Sequence, residues 1–244
     1  MGPLLKLAFV ASLALVVLGW SFKGELGPPQ AMHPDLAREP VQTPTTAEPF
    51  SFRYKGKEFR VRPVAEYELW GLVVSHNDIE SIADIYHDST SVDTKDLCVI
   101  WGANLEHPDY RRVDFRSGSF TCYFRYPPGV RFSPRAGSNN HLVTDRQEIR
   151  DRIAAVRVGD QIRLEGLLVD YQMEDWREFW RKTSTVRTDS GCEIVFVREL
   201  EILERATPGW YLAYRVGWIG LVVVPLVSLV VLHLSIRRRP SSSE

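Results

Sequence analysis

The feature that most constrains this chain is an uninterrupted apolar run near its carboxyl end. No side chain from Val216 to Ile236 carries a formal charge, and a helix needs about 20 such residues to cross the hydrocarbon core of a bilayer. Aromatic residues precede the run, and Arg237, Arg238 and Arg239 follow it. Basic residues flanking a span remain on the cytoplasmic side. The pattern predicts a transmembrane helix over residues 209–236 and a cytoplasmic basic tail over residues 237–244.

A second apolar block lies at the amino end. The residues from Leu7 to Phe22 are uncharged and follow Lys6. This length and basic start also fit a signal peptide, but the exit LGWSFKG offers no small-x-small cleavage site. We expect residues 1–23 to form an uncleaved membrane anchor, with a signal peptide as the alternative. Because the second span is expected to end in the cytoplasm, the middle of the chain is expected to be extracytoplasmic, which means the periplasm in a Gram-negative cell. Both termini of the uncleaved chain are then expected to be cytoplasmic.

The middle of the chain has two parts of different composition. Residues 24–49 combine repeated prolines with Thr, Ala, Gln and Glu and show no apolar period, which is typical of a semi-extended tether. Residues 50–208 change to short alternating segments and are expected to form one β domain. The net charge of the whole chain is -1, which argues against nucleic acid as a partner.

Alternation and turn residues predict a series of strands with one helix. The first hairpin is FSFRY with EFRVR, joined around Lys55-Gly56 and ended by Pro63. A helix is predicted from Thr144 to about Val156. The other predicted strands are YELWGLVV, LCVIWG, SFTCYFRY, the stretch RVGDQIRLEGLLVDY, and CEIVFV running into LEIL.

This order of strands and helix resembles the oligonucleotide/oligosaccharide-binding barrel (OB-fold), in which a helix lies between the third and fourth strands. The resemblance covers about Tyr67 to Leu203. It implies a mainly β fold, a small OB-like barrel with one capping helix and an extra N-terminal hairpin, flanked by two transmembrane helices. Gly166 is expected where a barrel strand bends. The segments CVIWG, SNNHL, GDQIRLEGLLVDY and GCEIVFV also resemble a family of bacterial membrane-anchored proteins with no assigned activity.

The chain contains three cysteines. If LCVIWG and SFTCYFRY form a symmetric hairpin about residue 110, Cys98 lies opposite Cys122 and a disulfide can form between them. The alternative is that all three are small buried thiols. In either case Cys192 is a thiol for which the sequence identifies no catalytic partner.

Histidines and carboxylates recur along the chain, and both are metal ligands. A metal-dependent enzyme would draw on His76, His87 and His141, but their spacing matches no specific metal motif, so we expect neither a metal nor another cofactor. Asn140 and His141 precede the predicted helix, where they could bind an anion or, as we prefer, form a turn.

The segment MEDWREFWRKTSTVR has the spacing of a short amphipathic helix. Trp176, Phe179 and Trp180 share one face, and Arg177 and Arg181 lie elsewhere. Packing on the barrel is the favoured interpretation; contact with lipid headgroups, a sugar or a protein are the alternatives. The candidate ligand-binding residues are Trp176, Arg177, Trp180, Arg181, Asn140 and His141.

No nucleophile, base and orienting group can be named together from the sequence, so we expect a protein that is not an enzyme. The leading hypothesis is a membrane-anchored extracytoplasmic binding or assembly module that contacts a protein partner of the cell envelope. The alternative is a module that binds a glycan or a lipid headgroup.

Overall fold

The computed structural model describes residues 2–78, 92–118, 121–176, 178–186 and 192–237. The helices are α1 (Pro3–Phe22), α2 (Gln147–Ala154) and α3 (Pro208–Arg237). The strands are β1 (Val41–Pro44), β2 (Phe50–Tyr54), β3 (Lys57–Asp78), β4 (Lys95–Ile100), β5 (Asp114–Ser117), β6 (Cys122–Arg125), β7 (Gly137–Val143), β8 (Gln161–Met173) and β9 (Glu193–Glu204). The chain divides into a unit made of residues 1–25 and 207–244, called the helical unit, and a unit of residues 26–206, called the sheet unit.

The helical unit consists of α1 and α3, each long and apolar enough to cross a membrane. The two helices are antiparallel, because Gly19 of α1 lies against Tyr214 of α3, whereas Ser12 lies against Gly220. Small residues at these contacts let the two backbones approach closely, as they do between membrane helices. The amino end of α1 and the carboxyl end of α3 therefore point to the same side of this unit.

The sheet unit is built on a mixed seven-stranded sheet. Strand β3 pairs with β4, β4 with β7, β7 with β9, and β9 with β8. Strand β8 then returns to pair with β3, so five strands form a closed circuit of pairings. Among these five pairs, β7 with β9 is parallel and the others are antiparallel. The short strands β1 and β2 pair with β3, and β5 with β6 forms a separate hairpin.

Apolar side chains cover both faces of this sheet, because successive residues of a strand point to opposite faces. On one face Leu97 and Leu142 pack in a cluster that includes Ile149 and Ile153 of α2. On the other face Val143 of β7 packs in a second cluster with Tyr171 of β8. The sheet is therefore buried between two apolar layers where β4, β7 and β8 run.

Several strand predictions are confirmed and two need correction. The hairpin around Lys55-Gly56 is present, and both turn residues have positive φ. Pro63 does not end the second strand of that hairpin; β3 continues past it with a register shift between Pro63 and Ala65. The strand that follows β4 in the sheet is β7, whereas the predicted segment SFTCYFRY supplies β6 of the separate hairpin. Gly166 does lie at an irregularity, because the β8–β9 register shifts between Glu165 and Gly166.

The segment predicted to be a tether is in large part packed on the sheet unit. Strand β1 pairs with residues 65–68 of β3, and the side chain of Leu36 is 1% exposed. Glu39 accepts a hydrogen bond from Trp101 Nε1 at 2.9 Å. Proline-rich composition alone did not reveal these contacts, because their partners lie far along the chain.

Cys98 and Cys122 form the predicted disulfide, with their Cα atoms 5.9 Å apart. The strand pairing that brings these two cysteines together differs from the prediction. Strand β4 carries Cys98 and pairs with β7, while Cys122 begins β6 in the separate hairpin. The disulfide thus joins that hairpin to the main sheet instead of crossing between two paired strands.

Candidate functional site

A cluster of buried polar side chains lies where β4 and β7 are paired. Asp96 of β4 is directly opposite His141 of β7, so their side chains share a face of the sheet. His141 Nδ1 is 2.6 Å from Asp96 Oδ1. Both residues are inaccessible, with 0% of Asp96 and 1% of His141 exposed. Such a pair is held in place by the two strands and is shielded from solvent.

A second ion pair lies beside the first. Arg181 Nη1 donates to Asp93 Oδ2 at 2.6 Å and to the hydroxyl oxygen of Tyr171 at 3.0 Å. The backbones of Arg181 and Tyr171 also form an isolated β-bridge. This bridge fixes the segment after β8 against the sheet, and so places the guanidinium over Asp93. We call Asp93, Asp96, His141 and Arg181 the buried charge cluster.

The electrostatics of the cluster favour a charged imidazole. Burial by itself lowers the pKa of His141, but the charge and hydrogen bond of Asp96, together with a hydrogen bond from Cys192, outweigh it and raise that pKa to about 10. Burial raises the pKa of Asp96, and His141 opposes that rise. Burial also raises the pKa of the Tyr171 hydroxyl. The His141 imidazole that faces Asp96 is therefore protonated at neutral pH.

Cys192 extends the cluster at the far nitrogen of His141. Its side chain hydrogen-bonds His141, and Asn139 Nδ2 donates to its sulfur at 3.4 Å. Asp96, His141 and Cys192 thus form a chain of carboxylate, imidazole and thiol, which is also the order of groups in the catalytic triads of cysteine enzymes. Because the ring is already protonated at neutral pH, it does not serve as a general base for the thiol there. The sequence missed this arrangement because Cys192 lies far from Asp96 and His141 along the chain.

Two of the six predicted ligand-binding residues, Asn140 and His141, are buried. Asn140 is buried, accepts from the Tyr67 hydroxyl at 3.3 Å and donates to Leu97 O at 3.3 Å. Asn140 and His141 form strand and not the predicted turn. Arg181 belongs to the buried charge cluster, and Arg177 lies outside the described residues. The ring of Trp176 stacks on Tyr171 with centroids 5.5 Å apart.

The segment after β8 is not the predicted helix in its described part. Residues 174–176 and 178–181 form turns and a single bridge. The rings of Trp176 and Trp180 therefore contact different parts of the sheet unit. Trp180 lies under the guanidinium of Arg62, whose Cζ is 3.7 Å from the ring centroid. It lines an open groove of about 620 Å³. The lining residues are Pro49, Phe50, Ser51, Arg60, Val61, Arg62, Gln172, Glu178 and Trp180.

The histidines of the metal hypothesis are not brought together in the described residues. His87 lies outside them. His76 is opposite Leu97, one position along β4 from Asp96, so it belongs to the other face of the sheet. His141 instead meets Asp93 and Asp96, a grouping with ligand atoms within 4.8 Å of one another.

Comparison with known proteins gives no relative: no family model, no curated protein and no solved structure matches this chain.

Proposed function

We propose that this protein is a membrane-anchored, non-enzymatic module whose sheet unit lies outside the cytoplasm and binds a protein partner of the cell envelope. The proposal includes an OB-like barrel for the sheet unit. The closed pairing circuit supports it, since α2 lies between β7 and β8 and the parallel pair is β7 with β9. This is the order of elements on which the sequence resemblance rests.

Two features favour an extracytoplasmic sheet unit. The disulfide between Cys98 and Cys122 is of a kind that persists outside the reducing cytoplasm. The arginines that follow the apolar run of α3 favour a cytoplasmic carboxyl end. With α1 and α3 antiparallel, the segment between them would then lie on the opposite side of the membrane.

The groove at Trp180 is the observation that carries the binding function. It combines an aromatic ring with the guanidinium groups of Arg60 and Arg62, and tryptophan and arginine dominate the energetics of protein interfaces. These two arginines outnumber the one carboxylate, Glu178, so the groove suits an acidic ligand. Strand β2 at its rim pairs with β3 alone among the described strands, which leaves an edge that an extended segment can join. We therefore propose that an extended acidic segment of the partner occupies the groove.

Site-specific photocrosslinking tests this proposal. A benzoylphenylalanine at Ser51, on the groove rim, should give one adduct of protein mass in intact membranes. The same group at Gln147, which is exposed on α2, is the matched control and should give no such adduct. Trp180→Ala should abolish the Ser51 adduct. An adduct too small for a protein would favour the glycan or headgroup alternative, and no difference between Ser51 and Gln147 would contradict the groove as the binding surface.

A further inference from the structure

The buried charge cluster contains carboxylate oxygens that its hydrogen bonds do not use. Within the described part of the chain, Asp93 Oδ1 and Asp96 Oδ2 are buried and have no hydrogen-bond partner. Each carboxylate uses its other oxygen, Asp93 toward Arg181 and Asp96 toward His141. A buried carboxylate oxygen without a partner has lost its hydration without compensation. Two such oxygens in one cluster point to a bound group that supplies positive charge.

The geometry suits a small cation. Asp93, Asp96 and His141 each offer one ligand atom, and these three atoms lie within 4.8 Å of one another. All three residues are buried, with 2%, 0% and 1% exposed. Atoms at mutual distances of this size can surround a single ion at the roughly 2 Å coordination distances of carboxylate oxygen and imidazole nitrogen.

Contacts behind the imidazole orient it for this role. The side chain of Cys192 hydrogen-bonds the ring, and Asn139 Nδ2 donates to the Cys192 sulfur at 3.4 Å. Partners at the far nitrogen of a metal-binding histidine fix the ring and its tautomer. Nδ1 is the ring atom that faces the Asp96 carboxylate.

We propose that Asp93, Asp96 and His141 bind one divalent transition-metal ion, with zinc as the expected occupant. Two carboxylate oxygens and one imidazole nitrogen match the donor preference of zinc, whereas calcium takes six to eight oxygen ligands. On binding, His141 Nδ1 would release its proton to solvent, and the ion would take the place of the hydrogen bond to Asp96. The ion would tie the segment before β4 to β4 and β7. This site is separate from the groove, so either proposal can fail alone.

Metal stoichiometry measures the site directly. Full-length protein in detergent, stripped with EDTA and desalted, should take up one equivalent of zinc from ZnCl₂, as measured by plasma mass spectrometry after removal of unbound metal. Asp93→Asn, Asp96→Asn and His141→Gln should each lower zinc affinity by more than about tenfold, since loss of even an outer partner costs roughly 10- to 100-fold. His107→Gln removes an exposed histidine and should leave zinc binding unchanged.

Visible absorption of bound cobalt(II) is a second measurement, and it does not depend on variants. In the wild-type protein it should produce visible absorption bands of a nitrogen and oxygen ligand set, and zinc should displace them. Wild-type protein that binds neither ion at micromolar concentration would overturn the proposal, even if a variant fails to fold. Zinc uptake equal in the wild type and in His141→Gln would also overturn it, because the ion would then be held elsewhere.

Discussion

At the scale of single residues, His141 determines how the sheet unit responds to pH. Its pKa is raised from 6.5 to about 10, so the native state retains a proton that the unfolded chain has lost above about pH 6.5. The stabilisation is therefore fully present below that pH and is lost as pH rises through 10. The buried pair with Asp96 is the physical source of this effect.

The free energy of unfolding should fall between pH 7 and pH 10, by up to about 1.4 kcal/mol per pH unit. Urea unfolding of the full-length protein in detergent, with EDTA present to exclude metal ions, measures it. His141→Gln should remove most of this slope, and His107→Gln should preserve it. A wild-type stability that does not change over this range would show that Asp96 and His141 do not share a proton in the folded state.

Trp176 and Trp180 should differ sharply on replacement by alanine. Trp176 stacks on Tyr171 within an apolar cluster, so Trp176→Ala should destabilise the protein by about 1–2 kcal/mol. Trp180 lines the open groove, so Trp180→Ala should change stability by less than about 1 kcal/mol while weakening partner binding. Urea midpoints of the two variants provide the comparison, and equal losses would argue against separate roles.

The contrast between Trp176 and Trp180 shows which features of the fold can be predicted from a local sequence pattern. The i, i+3, i+4 spacing of Trp176, Phe179 and Trp180 predicts a helix, but the bridge between Tyr171 and Arg181 holds this segment against the sheet. A backbone bridge to β8 thus overrides the helical spacing of the side chains. The Lys55-Gly56 turn can be predicted from sequence because its positive φ angles are set by the residues themselves. Gly166 is required for a different reason, because a Cβ there would lie 2.2 Å from Phe196 O.

At the scale of elements, strand β7 explains why the sequence singled out His141 but not its partner Asp96. The letters SNNHL suggest a turn because short polar side chains favour turns. In the structure their polar groups are satisfied by neighbours far along the chain, such as Tyr67 for Asn140 and Asp96 for His141. The sequence predicted the elements on either side of β7, but not the register that makes these side chains internal.

Close packing between α1 and α3 leads to a prediction for the helical unit. A Cβ atom at Gly217 would lie 2.7 Å from Val16 N, so Gly217→Leu should force the helices apart and cost about 1–3 kcal/mol. Gly209 has no neighbour within 4 Å of such an atom, which makes Gly209→Leu the control. Thermal unfolding in detergent measures both, and an unaffected Gly217→Leu variant would contradict the packing of the two helices.

At the scale of the whole molecule, the proposed function depends on which side of the membrane each part occupies. The structure supplies two apolar helices that could cross a bilayer and a disulfide-bonded sheet unit. The arginines at the carboxyl end favour the proposed orientation, with that end in the cytoplasm. The proposed partner binding requires the groove to face the extracytoplasmic side.

Labelling with a membrane-impermeant maleimide tests that arrangement most directly. In a Cys192→Ser background, Ser51→Cys and Ser243→Cys place one thiol on the groove rim and one in the carboxyl-terminal tail. In sealed right-side-out vesicles, the account predicts that the Ser51→Cys protein is labelled at once and the Ser243→Cys protein only after detergent opens the membrane. Labelling of the Ser243→Cys protein in sealed vesicles, with the Ser51→Cys protein protected, would contradict it.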